Sequence, residues 1–229
     1  RAGGCLWNTP AERQLAENLW GPFDGEVAQD YGSMGIDRPE PKSVAGGGDN
    51  YALYSGRISS AKGCADMIGW FCEYVDRRQR APGGVEKLIL TGDLQMELLE
   101  HPAIEYRGFV SEDEKFALMA GAKLFVMPSA MESLSVVTLE AMGQGTPVLG
   151  NAGSAVVHDH IAASGAGLAF YERESFHSGL DALAHSSESM GAAGRVYVAE
   201  RYDHAQVSAR VVAMVKRTIA RDAAGTTGG

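Results

Sequence analysis

Two hydrophobic periods alternate along this 229-residue chain. Short apolar runs rich in branched and aromatic residues predict buried strands near 51–55, 86–91, 104–107, 123–127, 147–150 and 167–170. Between them recurs the i, i+3, i+4 stripe of a core-facing helix, clearest at Cys64, Met67, Ile68, Phe71, Tyr74 and Val75 within 60–78. Further helices fit 112–121, 133–144, 155–163, 173–186, 189–201 and 204–220, the last with Val207, Val211, Met214, Val215, Thr218 and Ile219 on one side. Strands alternating with helices imply an α/β class: a Rossmann-like parallel sheet with helices on both faces. Such a sheet opens a ligand crevice at the carboxyl ends of its strands.

The pattern starts late. Residues 1–45 read as a remnant of a preceding domain plus a linker, with a short strand at Gly4-Cys5-Leu6-Trp7. A helix follows, capped by Thr9, with Pro10 at its first position and Glu12 three residues after the cap. Leu15, Leu19 and Trp20 give it an apolar face, and the prolines and glycines from Pro22 to Gly48 read as connection. Residues 46–203 form the main domain, 204–222 a terminal helix, and 223–229 a disordered tail.

Composition narrows the chemistry. The 45% hydrophobic content suffices for a sizeable core, and the formal charge of −9 excludes a general nucleic-acid binder, because phosphate backbones select basic faces. A nucleotide ligand stays open, since it needs only a few local cations and amides. No apolar run reaches the ~18 residues of a membrane span. Three cysteines without zinc spacing suit a reducing cytoplasm, and a chain opening on Arg1 reads as a fragment. A GxxxxGK[ST] loop, a GxGxxG after the first strand and any Asp-x-Asp pair are all absent, so no metal site is expected.

Glu132 and Glu140 carry the most information. Glu132 follows the strand Leu124–Met127 at the point where a helix is expected to begin, beside its unpaired amides. On one helix, eight steps would set the two carboxylates about 12 Å apart and rotated by roughly 80°. That spacing suits the two ends of an extended sugar nucleotide, with its diphosphate over the positive helix terminus. Glu140 lies among Leu139, Ala141 and Met142, and a buried carboxylate needs a partner, which ribose hydroxyls would supply. Arg57 and Lys62 flank a strand end, where fixed cations would stabilise a departing diphosphate more than the bound substrate. Gly56 and Gly63 border that basic loop and allow close backbone approach to phosphate. Asp93 is a further candidate at the end of the second strand, whereas His158 and His160 read as surface or capping residues on different helix faces.

Three segments resemble one family. Glu132 to Glu140 looks like the Glu-seven-Glu signature of retaining glycosyltransferases with the two-domain GT-B fold, specifically family four. Tyr51 to Arg57 with Lys62-Gly63 is similar to that family's first strand and basic loop, and Gly108 to Lys115 resembles its base-binding turn. The resemblance covers roughly 48–215 and implies the C-terminal, donor-binding half of a GT-B enzyme. It assigns Arg57 and Lys62 to the donor diphosphate and Glu132 to the transferred sugar. It gives Glu140 to the ribose, Phe109 and Val110 to the base, and the amides of Leu134, Ser135 and Val136 to phosphate or sugar. One departure is Glu-Ser-Leu-Ser where the family commonly has Glu-Gly-Phe-Gly.

The implied function is metal-independent transfer of a sugar, with retention, from a UDP- or GDP-sugar to an acceptor. No cofactor is expected. The acceptor, and any peripheral membrane contact, would be handled by an absent N-terminal domain, leaving this polypeptide poorly active alone. Two alternatives remain: a non-catalytic nucleotide-sugar-binding module, and a GT-B sugar-nucleotide epimerase.

Overall fold

A computed structural model describes residues 7–22, 34–37, 50–78, 83–185 and 188–225. Six strands form one parallel sheet: β1 (Tyr51–Ser55), β2 (Lys87–Thr91), β3 (Ile104–Tyr106), β4 (Leu124–Met127), β5 (Val148–Asn151) and β6 (Gly167–Phe170). Their spatial order is β3-β2-β1-β4-β5-β6. In register, Leu53 pairs with Ile89 on one side and with Phe125 on the other. The chain winds outward from β1 to β3, then returns to place β4 against β1. That reversal is the topological switch point of a doubly wound sheet, where the crossover helices diverge and leave a crevice.

Period-two alternation sends side chains to two cores. Leu53, Ile89, Phe125 and Val148 face one; Ala52, Leu88, Val126 and Leu149 face the other. The first is closed by α3 (Glu112–Gly121), α4 (Val136–Gln144), α5 (Ala155–Ser164) and α7 (Glu188–Arg201), through residues such as Met119, Leu139, Val157 and Val198. The second is closed by α2 (Cys64–Arg78) and α6 (Arg173–Ala184), through Met67, Phe71, Phe176 and Leu180. Burial on both faces explains why β1 reads as an unbroken apolar run rather than an alternating one.

The remaining helices are α1 (Pro10–Trp20) and α8 (His204–Gly225). Thr9 caps α1 by accepting from the Glu12 amide at 3.1 Å, and the Glu12 carboxylate returns to the Asn8 amide at 2.6 Å. The face expected to be apolar is corrected: Leu15, Leu19 and Trp20 are exposed, and Ala16 is the buried residue of α1. α1 instead docks on α5 through its small residues and the Ala11 amide, which donates to Asp159 at 3.1 Å. α8 continues to Gly225, into the segment expected to be unstructured. The strand expected at Gly4-Cys5-Leu6 and most of the linker lie outside the described residues. Among those described, no helix is long and apolar enough to cross a membrane.

Candidate active site

Arg57 and Lys62 lie in the loop that follows β1, and Glu132 in the segment that follows β4, on either side of the switch point. β1 ends at Ser55 and turns at Gly56, whose φ of 150° favours glycine. The Gly56 amide donates to the Thr91 carbonyl at 3.0 Å. A Cβ on Gly92 would lie 2.2 Å from the Gly56 carbonyl oxygen, so the turns after β1 and β2 are packed backbone on backbone. The Tyr54 hydroxyl donates to the Arg57 carbonyl at 2.7 Å, and burial raises that phenol far above its ordinary pKa, keeping it a donor. With its backbone held, Arg57 projects an exposed guanidinium from the strand end.

Lys62 ends a 3-10 turn, Ser60–Lys62, closed by Gly63 in the left-handed region. A Cβ at Gly63 would meet the Pro128 carbonyl oxygen at 2.6 Å. That glycine therefore lets the basic loop touch the segment after β4, and the Lys62 ammonium meets Glu132 Oε1 at 2.7 Å. This ion pair, across 70 residues of sequence, is not expected from the spacing, which gives Lys62 and Glu132 separate roles.

The segment from Pro128 to Ser135 is not helical, which corrects the expected start at 133 and the one-helix spacing of the two glutamates. Ser129 is buried; its hydroxyl donates to the Met131 carbonyl at 2.9 Å, and Asn151 Nδ2 donates to the Pro128 carbonyl at 2.9 Å. Ser135 has φ 58° and ψ 60°, the only non-glycine at positive φ among the described residues, and delays α4 until Val136. Its hydroxyl pairs with Thr138 Oγ1 at 2.8 Å and does not cap the α4 amides. The first-turn amides of Val136 and Val137 therefore lack helical acceptors and present partial positive charge. Leu134, expected to offer only its amide, also buries its side chain in the core.

Glu140 is buried, as its apolar neighbours suggested, but its protein partner comes from another helix. Lys115 on α3 places Nζ 3.0 Å from Glu140 Oε1 and 2.8 Å from Glu112 Oε2. Burial pushes the Glu140 carboxyl above its usual range, against the hydrogen bond and charge of Lys115. Burial pulls Lys115 down, but its two carboxylate partners outweigh that and hold the ammonium above the ordinary lysine range. The two acids thus occupy separate ion pairs, Glu132 with Lys62 and Glu140 with Lys115.

Phe109 and Val110 follow β3. Phe109 is 82% exposed, so it is a presented ring and not a strand-end core residue. The turn carrying it is tied to the end of β2, where the Gly92 amide donates to the Gly108 carbonyl at 2.8 Å. Asp93 accepts from Gln95 Nε2 at 2.6 Å and makes no contact with the two ion pairs.

His160 overturns its expected surface role. It is 1% exposed on α5, with Nε2 2.8 Å from the Leu134 carbonyl and Nδ1 2.9 Å from the Tyr197 hydroxyl. A carbonyl only accepts, so Nε2 carries the proton and Nδ1 accepts from Tyr197. Burial lowers the pKa and keeps the ring neutral. His160 thereby anchors the turn that precedes α4. Its place four and three residues after Val156 and Val157, on their helix face, could have signalled burial. Beside Glu132, a hollow of about 530 Å³ opens between α1 and the loops after β4 and β5, walled by Leu15, Met131 and Val156. Among the described residues, no three His, Cys, Asp or Glu side chains are grouped to hold a metal.

This arrangement of parallel sheet, glycine-lined basic loop and uncapped helix coincides with a family model described as glycosyl transferases group 1, which matches residues 49–186. The chain belongs to that family. A curated relative, 2-deoxystreptamine N-acetyl-D-glucosaminyltransferase from Streptomyces fradiae, is 34% identical over 141 residues, covering 57% of this chain and 31% of the relative. Sucrose-phosphate synthase from Thermosynechococcus elongatus superposes with a TM-score of 0.76 at 17% identity, covering 96% of this chain and 59% of that one. HepE from Anabaena, solved with UDP and glucose, gives 0.73 at 17% identity, covering 94% of this chain and 64% of HepE. These superpositions establish the fold, which is that of the C-terminal half of a GT-B glycosyltransferase. The chain spans under a third of the length of the curated relatives it matches.

Proposed function

We propose that this family member is the donor-binding half of a retaining, metal-independent glycosyltransferase akin to family four, acting on a nucleoside-diphosphate sugar. The observation that carries the reading is the Lys62–Glu132 pair, which joins the basic loop after β1 to the segment leading into α4. A diphosphate laid there meets Arg57, Lys62 and the amides of Leu134, Ser135 and Val136, with Gly56 leaving room for its approach. Arg57 forks onto phosphate oxygens while Lys62 acts as a point charge. Glu132, oriented by Lys62, accepts from hydroxyls of the sugar; Glu140 accepts from the ribose; Phe109 and Val110 cover the base.

In the reaction, the bond from the anomeric carbon to the diphosphate oxygen breaks and its electron pair leaves with the diphosphate. The acceptor oxygen bonds to that carbon on the same face, and its proton passes to a leaving phosphate oxygen. Arg57, Lys62 and the α4 terminus stabilise the charge that develops, which lowers the barrier because the interaction strengthens along the reaction. Acceptor recognition belongs to a second lobe, so the 229 residues alone bind donor and transfer sugar poorly. The HepE complex makes UDP the first donor nucleotide to try.

Thermal-shift titration with UDP, GDP, ADP and their sugar conjugates tests the reading. One nucleoside diphosphate should stabilise the protein by about 2.7 kcal/mol at a hundred times its dissociation constant, and Lys62→Ala should abolish the shift. An absence of stabilisation by every nucleotide would refute it. Release of an epimerised sugar from the donor would instead favour an epimerase.

A further inference from the structure

Lys115 stands outside the residues to which any role has so far been given, yet it holds the most enclosed carboxylate of the crevice. It lies in the first turn of α3, and its side chain is 14% exposed where it bridges Glu112 and Glu140. Those contacts use two of the three ammonium donors. Glu140 is 9% exposed at its side chain, and while Oε1 takes the lysine, Oε2 is buried with no partner among the described residues. A buried carboxylate oxygen left bare is costly, and it is the atom a donor-rich ligand would satisfy. The other charges acting on Glu140 are Glu112 from α3 and Asp37 from the segment before β1, both negative. From α7, Arg195 spends a guanidinium donor on the Gln144 carbonyl, one turn further along α4. Among the described residues, Lys115 is therefore the cation paired with Glu140.

We propose that Lys115 is a positioning residue for donor recognition: by clamping Oε1 it turns Oε2 of Glu140 toward the two hydroxyls of the nucleotide ribose, setting a preference for ribonucleotides over deoxyribonucleotides. The inference rests on the donor site proposed above. A ribose diol offers two O–H donors to one anionic acceptor, and removing one hydroxyl leaves the oxygen under-satisfied. A lysine fixed on the opposite oxygen also stops the carboxylate from rotating away from the ligand.

The test measures dissociation constants of UDP, GDP and ADP, and of their 2′-deoxy and 3′-deoxy counterparts, by calorimetry on the full chain. For the nucleotide that binds, wild-type protein should prefer the ribo form by about tenfold, the size of a hydrogen bond to a charged acceptor. Lys115→Met should bring that ratio to within about threefold of unity, with deoxynucleotide affinity little changed, and Lys115→Arg should restore most of the preference. A merely structural role would weaken all forms equally. A second readout covers partial loss of preference. Without the ammonium, burial raises the Glu140 carboxyl further, so the residual preference should vanish at a higher pH in Lys115→Met than in wild type as pH is lowered. Preserved discrimination in a folded Lys115→Met would overturn this inference alone; a wild-type protein that binds none of UDP, GDP and ADP would overturn the donor site as well.

Discussion

Replacing His160 with Phe keeps a ring of similar size in the core and deletes two hydrogen bonds. The Leu134 carbonyl and the Tyr197 hydroxyl, both on buried residues, then lose the partners they meet at 2.8 and 2.9 Å. Each unsatisfied buried group costs about 1–3 kcal/mol, so His160→Phe should lose about 2–6 kcal/mol at pH 7.5. The difference should also depend on pH. Burial depresses the folded-state pKa of His160, so below about pH 6.5 the unfolded chain takes a proton that the native ring refuses. Wild-type stability therefore carries a His160 contribution that is intact above that pH. It declines by up to about 1.4 kcal/mol per pH unit until the folded pKa is passed. His160→Phe lacks this term. The gap between the two proteins, measured by urea denaturation, should narrow from pH 7.5 to 5.5. A gap that stays constant, or a variant as stable as wild type, would refute the assignment of His160 as a buried neutral anchor of the turn before α4.

Three further expectations concern the same crevice. Gly63→Ala drives a Cβ into the Pro128 carbonyl from a left-handed backbone; it should cost about 1–3 kcal/mol in denaturation and abolish nucleotide binding by separating Lys62 from Glu132. Ser135 sits at φ 58°, where a side chain costs about 1–2 kcal/mol, so Ser135→Gly should be more stable than Ser135→Ala by about 1 kcal/mol, the reverse of the usual helical order. Phe109→Ala should change stability by less than about 0.5 kcal/mol, because the ring is exposed, yet weaken nucleotide binding about tenfold in calorimetry.

The sheet was legible because its strands are buried on both faces and so appear as apolar runs; the expected β1 and β6 coincide with those observed, and the other four lie within a residue at each end. The start of α4 was not. Ser133-Leu134-Ser135 contains no glycine or proline to stop a helix, and a serine in the left-handed region leaves no trace in composition. Glu132 and Lys62 could be nominated separately, but their contact depends on Gly63 touching Pro128, a close approach that spacing does not reveal. Lys115 and His160 escaped for a related reason. Each looks like an ordinary helix-surface residue in sequence, and each acquires its role from a neighbouring element packed against it. α1 misled in the opposite sense, because Leu15, Leu19 and Trp20 form an apolar stripe that no described core covers.

The proposed donor site places a nucleoside diphosphate on the α4 terminus at the β1/β4 switch point. A crystal structure of the protein with UDP, or with whichever nucleotide stabilises it, tests this most directly. Phosphate oxygens should lie within hydrogen-bonding distance of Arg57, Lys62 and the backbone from Leu134 to Val136, with the ribose against Glu140. A nucleotide bound elsewhere on the molecule, with Lys62 and Glu132 untouched, would contradict it.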